Sequence, residues 1–142
     1  MEYKLLEEKD LELLKDVIED DDMIFNISDV KKFYEDKNTI SFIAKENNKI
    51  VGFAYGYDII HPNNKQAYFI YSIGMLPDYQ NKGYGTKLLS FIKDYISSHG
   101  FFEMFVLTDK GNPRACHVYE KLGGKNDYEN EICYVYDFEG DK

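Results

Sequence analysis

Residues 69–89 read Phe69-Ile70-Tyr71-Ser72-Ile73-Gly74-Met75-Leu76-Pro77-Asp78-Tyr79-Gln80-Asn81-Lys82-Gly83-Tyr84-Gly85-Thr86-Lys87-Leu88-Leu89. The first part is rich in β-branched and aromatic residues, as in a half-buried or buried strand, and Pro77-Asp78 ends it. From Leu88 onward, Leu89, Ile92, Tyr95 and Ile96 recur at the spacing of an amphipathic helix, and Gly100 supplies its stop. The stretch is therefore strand, glycine loop, helix. A helix amino terminus offers N–H groups without intrahelical partners and a partial positive charge. Two glycines let a ligand approach the backbone closely. The loop of Gln80, Asn81, Lys82, Gly83, Tyr84, Gly85 and Thr86 is thus expected to hold a diphosphate, with Lys82 and Lys87 able to add charge.

Outward from this unit, residues 101–108 form a further apolar run, and a strand-helix-strand arrangement makes its two strands parallel neighbours. Asn112-Pro113 then starts a helix, since Asn caps well and Pro is preorganised for the first helical position. That helix is expected to stop at Gly123-Gly124. A final strand is expected over 132–138, with one more near 125–128. Upstream, residues 40–44, 50–57 and 67–75 read as an antiparallel meander joined by Asn47-Asn48 and His61-Pro62-Asn63-Asn64. A short strand over 2–6 precedes a helix over 10–18 capped by Asp10, and Ser28 is positioned to cap a second helix carrying Val30, Phe33 and Tyr34. The expected fold class is α/β with a mixed sheet, mostly antiparallel with one parallel pair, flanked by these helices. All 142 residues are expected to form a single domain, 1–142.

With 26 acidic against 17 basic residues, the net charge of −9 argues against nucleic acid and anionic membranes as partners and favours a cationic one. Acidic surface is also an ordinary route to solubility. Cys116 and Cys133 form no C-x-x-C pair, and His61, His99 and His117 lack metal-ligand spacing, so no metal is expected. The acidic amino-terminal stretch does not resemble a secretion signal, and the apolar runs are too short to span a bilayer, so a soluble, cytoplasmic protein is expected.

Three phosphate-binding patterns compete for residues 80–86. A dinucleotide fingerprint would need glycine where Leu88 stands, and the Walker loop G-x-x-x-x-G-K-[ST] is absent. The remaining pattern is Q/R-x-x-G-x-G/A, here Gln80-x-x-Gly83-x-Gly85. It resembles the acetyl-CoA motif of the GNAT N-acetyltransferase superfamily. The likeness extends to Ile50-Val51-Gly52-Phe53 and to the helix from Asn112 to Gly123, which matches N-x-x-A-x-x-x-Y-x-x-x-G. Residues 71–85, the segment Thr108-Asp109-Lys110-Gly111 and the tail Tyr136-Asp137-Phe138 are similar to aminoglycoside 3-N-acetyltransferases.

The resemblance implies acetyl-CoA as co-substrate and a GNAT fold in which the strands ending near Met75 and Thr108 splay apart around the pantetheine arm. It implies that backbone groups of Ile73 and Met75 pair with the arm and that Asn112 contacts it. It makes Tyr119 the candidate acid that protonates the departing thiolate. Direct attack also needs the acceptor ammonium to lose a proton. Many members of the superfamily carry a carboxylate on the strand corresponding to residues 67–75, which here has none. Asp109, or a water relayed by Tyr71 or Ser72, is the candidate base. Asp109 could equally form the Lys110-Gly111 turn, and Asn112 could serve only as a helix cap. The implied reaction is acetylation of a primary amine on a small, cationic acceptor, such as an aminoglycoside-like one, by a monomer or homodimer. Protein Lys or amino-terminal acetylation, and acyl-CoA binding without turnover, are the alternatives.

Overall fold

Three antiparallel strands, β2 (Thr39–Glu46), β3 (Lys49–Ile60) and β4 (Gln66–Met75), form the centre of the sheet in the computed structural model, which describes residues 1–139. Strand β1 (Glu2–Leu5) pairs antiparallel with β2, and β5 (Glu103–Val106) pairs parallel with β4, giving the order β1-β2-β3-β4-β5. The strand expected over 101–108 is shorter, because its ladder runs only from Ala67↔Glu103 to Ile70↔Val106.

Alternation along the strands sends successive side chains to opposite faces. On one face Phe42, Ala54, Tyr68 and Ile70 meet Leu88, Leu89, Ile92 and Ile96 of α3 (Tyr84–Ser98). Burying each large aliphatic side chain of that stripe contributes about 2 kcal/mol. Val118 and Tyr119 of α4 (Pro113–Lys121), and Leu122 just after it, pack on the same cluster. The opposite face buries Ile43 with Leu6, Leu11, Leu14 and Val30. These lie beneath a 3-10 segment (Glu8–Leu14), α1 (Lys15–Ile18) and α2 (Ile27–Glu35).

Five local expectations are corrected. The single helix over 10–18 is instead a 3-10 segment followed by one α turn, with Glu7 at the cap position. Asp10 is no cap but a fully buried anion, 3.0 Å from Lys4 Nζ and 2.8 Å from Lys45 Nζ, and it accepts from the Glu7 amide at 3.3 Å. Burial alone would push its carboxyl up, but the hydrogen bonds and charges of Lys45 and Lys4 outweigh that and hold it below its ordinary value. Asn26, rather than Ser28, caps α2 by accepting from the Asp29 amide at 3.1 Å.

The remaining two corrections concern the carboxyl-terminal stretch. No strand forms over 125–128, nor over 132–138, where Ile132, Tyr134, Tyr136 and Phe138 are 72–93% exposed. Alternation of apolar residues supplies strand propensity, but a strand exists only with a ladder partner. The sheet of the described residues ends at β5.

Candidate active site

The ladder between β3 and β4 slips at one place. Tyr55 faces Ser72 while Gly56 faces Ile70, so Tyr71 is the extra residue of a β-bulge. Glycine is needed at 56, because a Cβ there would collide with the Phe69 carbonyl oxygen. The bulge falls just past the last rung of the parallel ladder, Ile70↔Val106. Bulges bend the strand that carries them, and here β4 runs on through Ile73 and Met75 with no ladder to β5. The ladder between β4 and β5 ends at this point.

The backbone on the open side of β4 follows from the alternation of an antiparallel ladder. Leu76 N donates to Val51 O at 2.8 Å, so the Leu76 amide points toward β3. Ile73 and Met75, at odd offsets from it, turn their backbone polar groups to the gap. The Met75 carbonyl accepts Gln80 Nε2 at 3.0 Å, which ties the loop to the end of β4.

The loop turns through two positive-φ positions. Asn81 has φ 62° and Gly83, the cap residue of α3, has φ 87°. Lys82 Nζ donates to the Asp78 carbonyl at 2.9 Å, and the Tyr79 hydroxyl donates to Glu46 Oε2 at 2.8 Å. The first helical bond is Lys87 N to Gly83 O at 3.1 Å. Among the described residues, the amides of Asn81, Lys82, Gly83, Tyr84, Gly85 and Thr86 have no protein acceptor. A Cβ at Gly83 would meet nothing within 4 Å, and one at Gly85 would only touch Met75. A run of unpaired donors beside open space at a helix amino terminus fits a diphosphate.

Asp109 and Asn112 organise the approach to α4. Asp109 Oδ1 accepts from the Gly111 amide at 2.6 Å, its carbonyl accepts from Asn112 N at 2.9 Å, and the Asn112 side chain accepts from Ala115 N at 3.2 Å. Both residues thus have structural roles, with Asp109 shaping the turn and Asn112 capping the helix. Tyr119 is half-buried against the α3 cluster. Burial, and then the neighbouring Cys116, push its phenol up, so it holds its proton at neutral pH.

Residues 10–124 match the family model of the Acetyltransferase (GNAT) family. The chain belongs to this family. It is a GNAT-family N-acetyltransferase. It is 29% identical over 108 residues to an uncharacterized N-acetyltransferase, YhfO, of Bacillus subtilis (strain 168), covering 75% of this chain and 70% of that one. It is 30% identical over 105 residues to N-alpha-acetyltransferase 50 of Danio rerio, covering 71% of this chain and 62% of that protein. Among solved structures, an aminoglycoside acetyltransferase, meta-AAC0020, from an uncultured soil metagenomic sample, determined with sisomicin, superposes with a TM-score of 0.78 at 26% identity. That match covers 96% of this chain and 94% of the other. The mixed sheet with one parallel pair is the GNAT architecture expected from residues 50–124.

Sequence reading missed one feature of the sheet. Phe33, Phe53, Tyr55, Tyr57, Phe69, Tyr71 and Phe105 come together on the face opposite α3. The alternation Phe53-x-Tyr55-x-Tyr57 and Phe69-x-Tyr71 was the available signal, since residues two apart share a face of a strand.

Proposed function

We propose that this acetyltransferase uses acetyl-CoA to acetylate a primary amine of a small, cationic acceptor by direct attack. The observation that carries the cofactor half is the run of unpaired amides from Asn81 to Thr86 at the start of α3, beside the unladdered end of β4. Gln80, Asn81, Lys82, Gly83, Tyr84, Gly85 and Thr86 would hold the diphosphate, and the open-side backbone of Ile73 and Met75 would receive the pantetheine arm. Asn112, besides capping α4, would flank that arm.

Acetyl-CoA supplies the acetyl group as a thioester, and the acceptor nitrogen gains it as the C–S bond breaks. An amide on the open side of β4 stabilises negative charge developing on the carbonyl oxygen. Tyr119, whose phenol is kept protonated by burial, gives its proton to the departing sulfur. The acceptor ammonium first loses one proton to water, assisted by Asp109, and after the C–S bond breaks the Tyr119 phenolate takes up the surplus N–H proton of the new amide through water. Residues 1–142 would act as one domain, as a monomer or homodimer. The free thiols of Cys116 and Cys133 suit a reducing, cytoplasmic setting.

The test has two parts. Calorimetry is expected to show acetyl-CoA binding, and a thiol-release assay is expected to show turnover with polyamines or aminoglycosides. Failure to bind acetyl-CoA sinks the proposal. A second reading, acetylation of a protein amino terminus, is favoured by the 30% identity to N-alpha-acetyltransferase 50. Turnover with peptides but not with small amines would select it.

A further inference from the structure

Beside the open end of β4, the sheet face opposite α3 carries a connected wall of aromatic rings. Its most exposed member is the bulge residue, Tyr71, at 63%. The Tyr71 ring stacks on Tyr55 with centroids 5.7 Å apart and planes at 30°. It meets Tyr57 edge-on at 6.3 Å and Phe69 at 6.0 Å. Phe33 of α2 closes against Tyr55 at 5.1 Å, and Phe69 stacks on Phe105 of β5 at 4.8 Å. Rings from α2, β3, β4 and β5 thus form one surface.

Packing alone does not account for it. A ring recruited to seal a core is not left mostly in solvent, whereas Tyr68 and Phe42 on the other face are fully buried. The hydroxyls of Tyr55, Tyr57 and Tyr71 have no protein acceptor among the described residues, while the buried Tyr68 hydroxyl donates to the Ile40 carbonyl at 2.6 Å. Burial, and then the adjacent Tyr57 and Tyr71, push the Tyr55 phenol up, which keeps it neutral. The cation placed over a ring among the described residues is Lys65 over Phe102, outside this wall. The wall therefore presents π faces without an internal cation, in a protein of net charge −9.

We infer that the wall of Tyr55, Tyr57 and Tyr71 is the acceptor's docking platform and holds a second, non-reacting ammonium of a polycationic amine. This rests on the acetyl-transfer reading above and narrows its acceptor class. The bulge serves both ends of the reaction. It ends the pairing with β5 that would close the cofactor gap, and it lifts Tyr71 to the point where an amine reaches that gap. A ring face attracts alkyl ammonium and protonated aminosugar alike, so both sources share the same chemistry.

Spermidine and sisomicin, titrated calorimetrically into protein saturated with CoA, separate the two sources and test the platform. Tyr71→Leu, which keeps apolar bulk but removes the ring, is expected to weaken whichever polycation binds by about tenfold. Tyr71→Phe is expected to stay within about twofold, and both variants should bind acetyl-CoA like the parent. Tyr57→Leu provides a second reading should Tyr71→Leu melt early. Unchanged polycation affinity in both Leu variants overturns the inference. So does equal loss in Tyr71→Phe, which would assign the effect to the hydroxyl. If neither polycation binds while acetyl-CoA does, the platform fails and the cofactor reading stands.

Discussion

On the α3 side of β4, Tyr68 and Ile70 are sealed in the core. On the other side, Phe69 is half-buried and Tyr71 stands 63% exposed. The same strand therefore has one face committed to stability and one available for binding. The proposed cofactor end is built from backbone, with orphan amides, positive-φ residues and a strand that loses its neighbour. The proposed acceptor face is built from side chains drawn from four separate elements. Backbone devices need particular residues at fixed local spacing, whereas a ring wall needs only that distant residues meet. The difference predicts that substitutions will sort cleanly by which measurement they disturb.

The largest effect expected is on folding. Asp10→Ala leaves Lys4 and Lys45, 15% and 14% exposed, without their shared anion and should cost about 3 kcal/mol in urea unfolding. Asp10 sits in the 3-10 segment over the sheet face opposite α3, so acetyl-CoA affinity of the folded protein should not change. The pH dependence has a definite sign. The folded carboxyl lies below its ordinary value, so its contribution is complete above about pH 4 and is lost as pH falls through the folded pKa. The advantage of the parent over Asp10→Asn should therefore shrink in acid.

Next comes chemistry without binding. Tyr119→Phe should lower kcat about a hundredfold, roughly 2.7 kcal/mol, with acetyl-CoA affinity unchanged. Because its phenol is raised, the alkaline limb of the parent's kcat profile should lie above the ordinary phenol value of about 10. Binding without chemistry is the converse. Gly83→Ala forces an L side chain to φ 87° and should weaken acetyl-CoA by about fivefold in calorimetry, leaving kcat at saturation little changed. The smallest effect belongs to Asp109→Asn, whose amide oxygen can still accept from Gly111. A loss of kcat under about threefold marks a turn residue, and a hundredfold loss would make it the base.

What could be read from the sequence follows the same division. The strand, loop and helix from 66 to 98, the parallel β4/β5 pair and the Asn112 cap all depend on local signals: glycine and proline placement, capping and apolar period. The bulge at Tyr71 does not, since an extra residue in one strand is defined only by the register of its partner. Asp10 looked like a cap because its neighbours are helical. Its true role depends on Lys45, which is distant in sequence and arrives only when β1 and β2 pair. Residues 132–138 have the pattern of a strand, but propensity cannot supply the missing ladder.

The slip at Tyr71 also says something about how such a site can be lost or gained. A bulge is a matter of residue count. Deleting one residue between Ile70 and Ser72 would bring Tyr55 and Gly56 opposite consecutive positions and restore an even ladder. β4 could then straighten toward β5. The proposed cofactor gap would be erased without altering a single loop residue of the glycine motif. For this sheet a one-residue insertion or deletion is a functional event, and a comparison of sequences scored only by matched residues would pass over it.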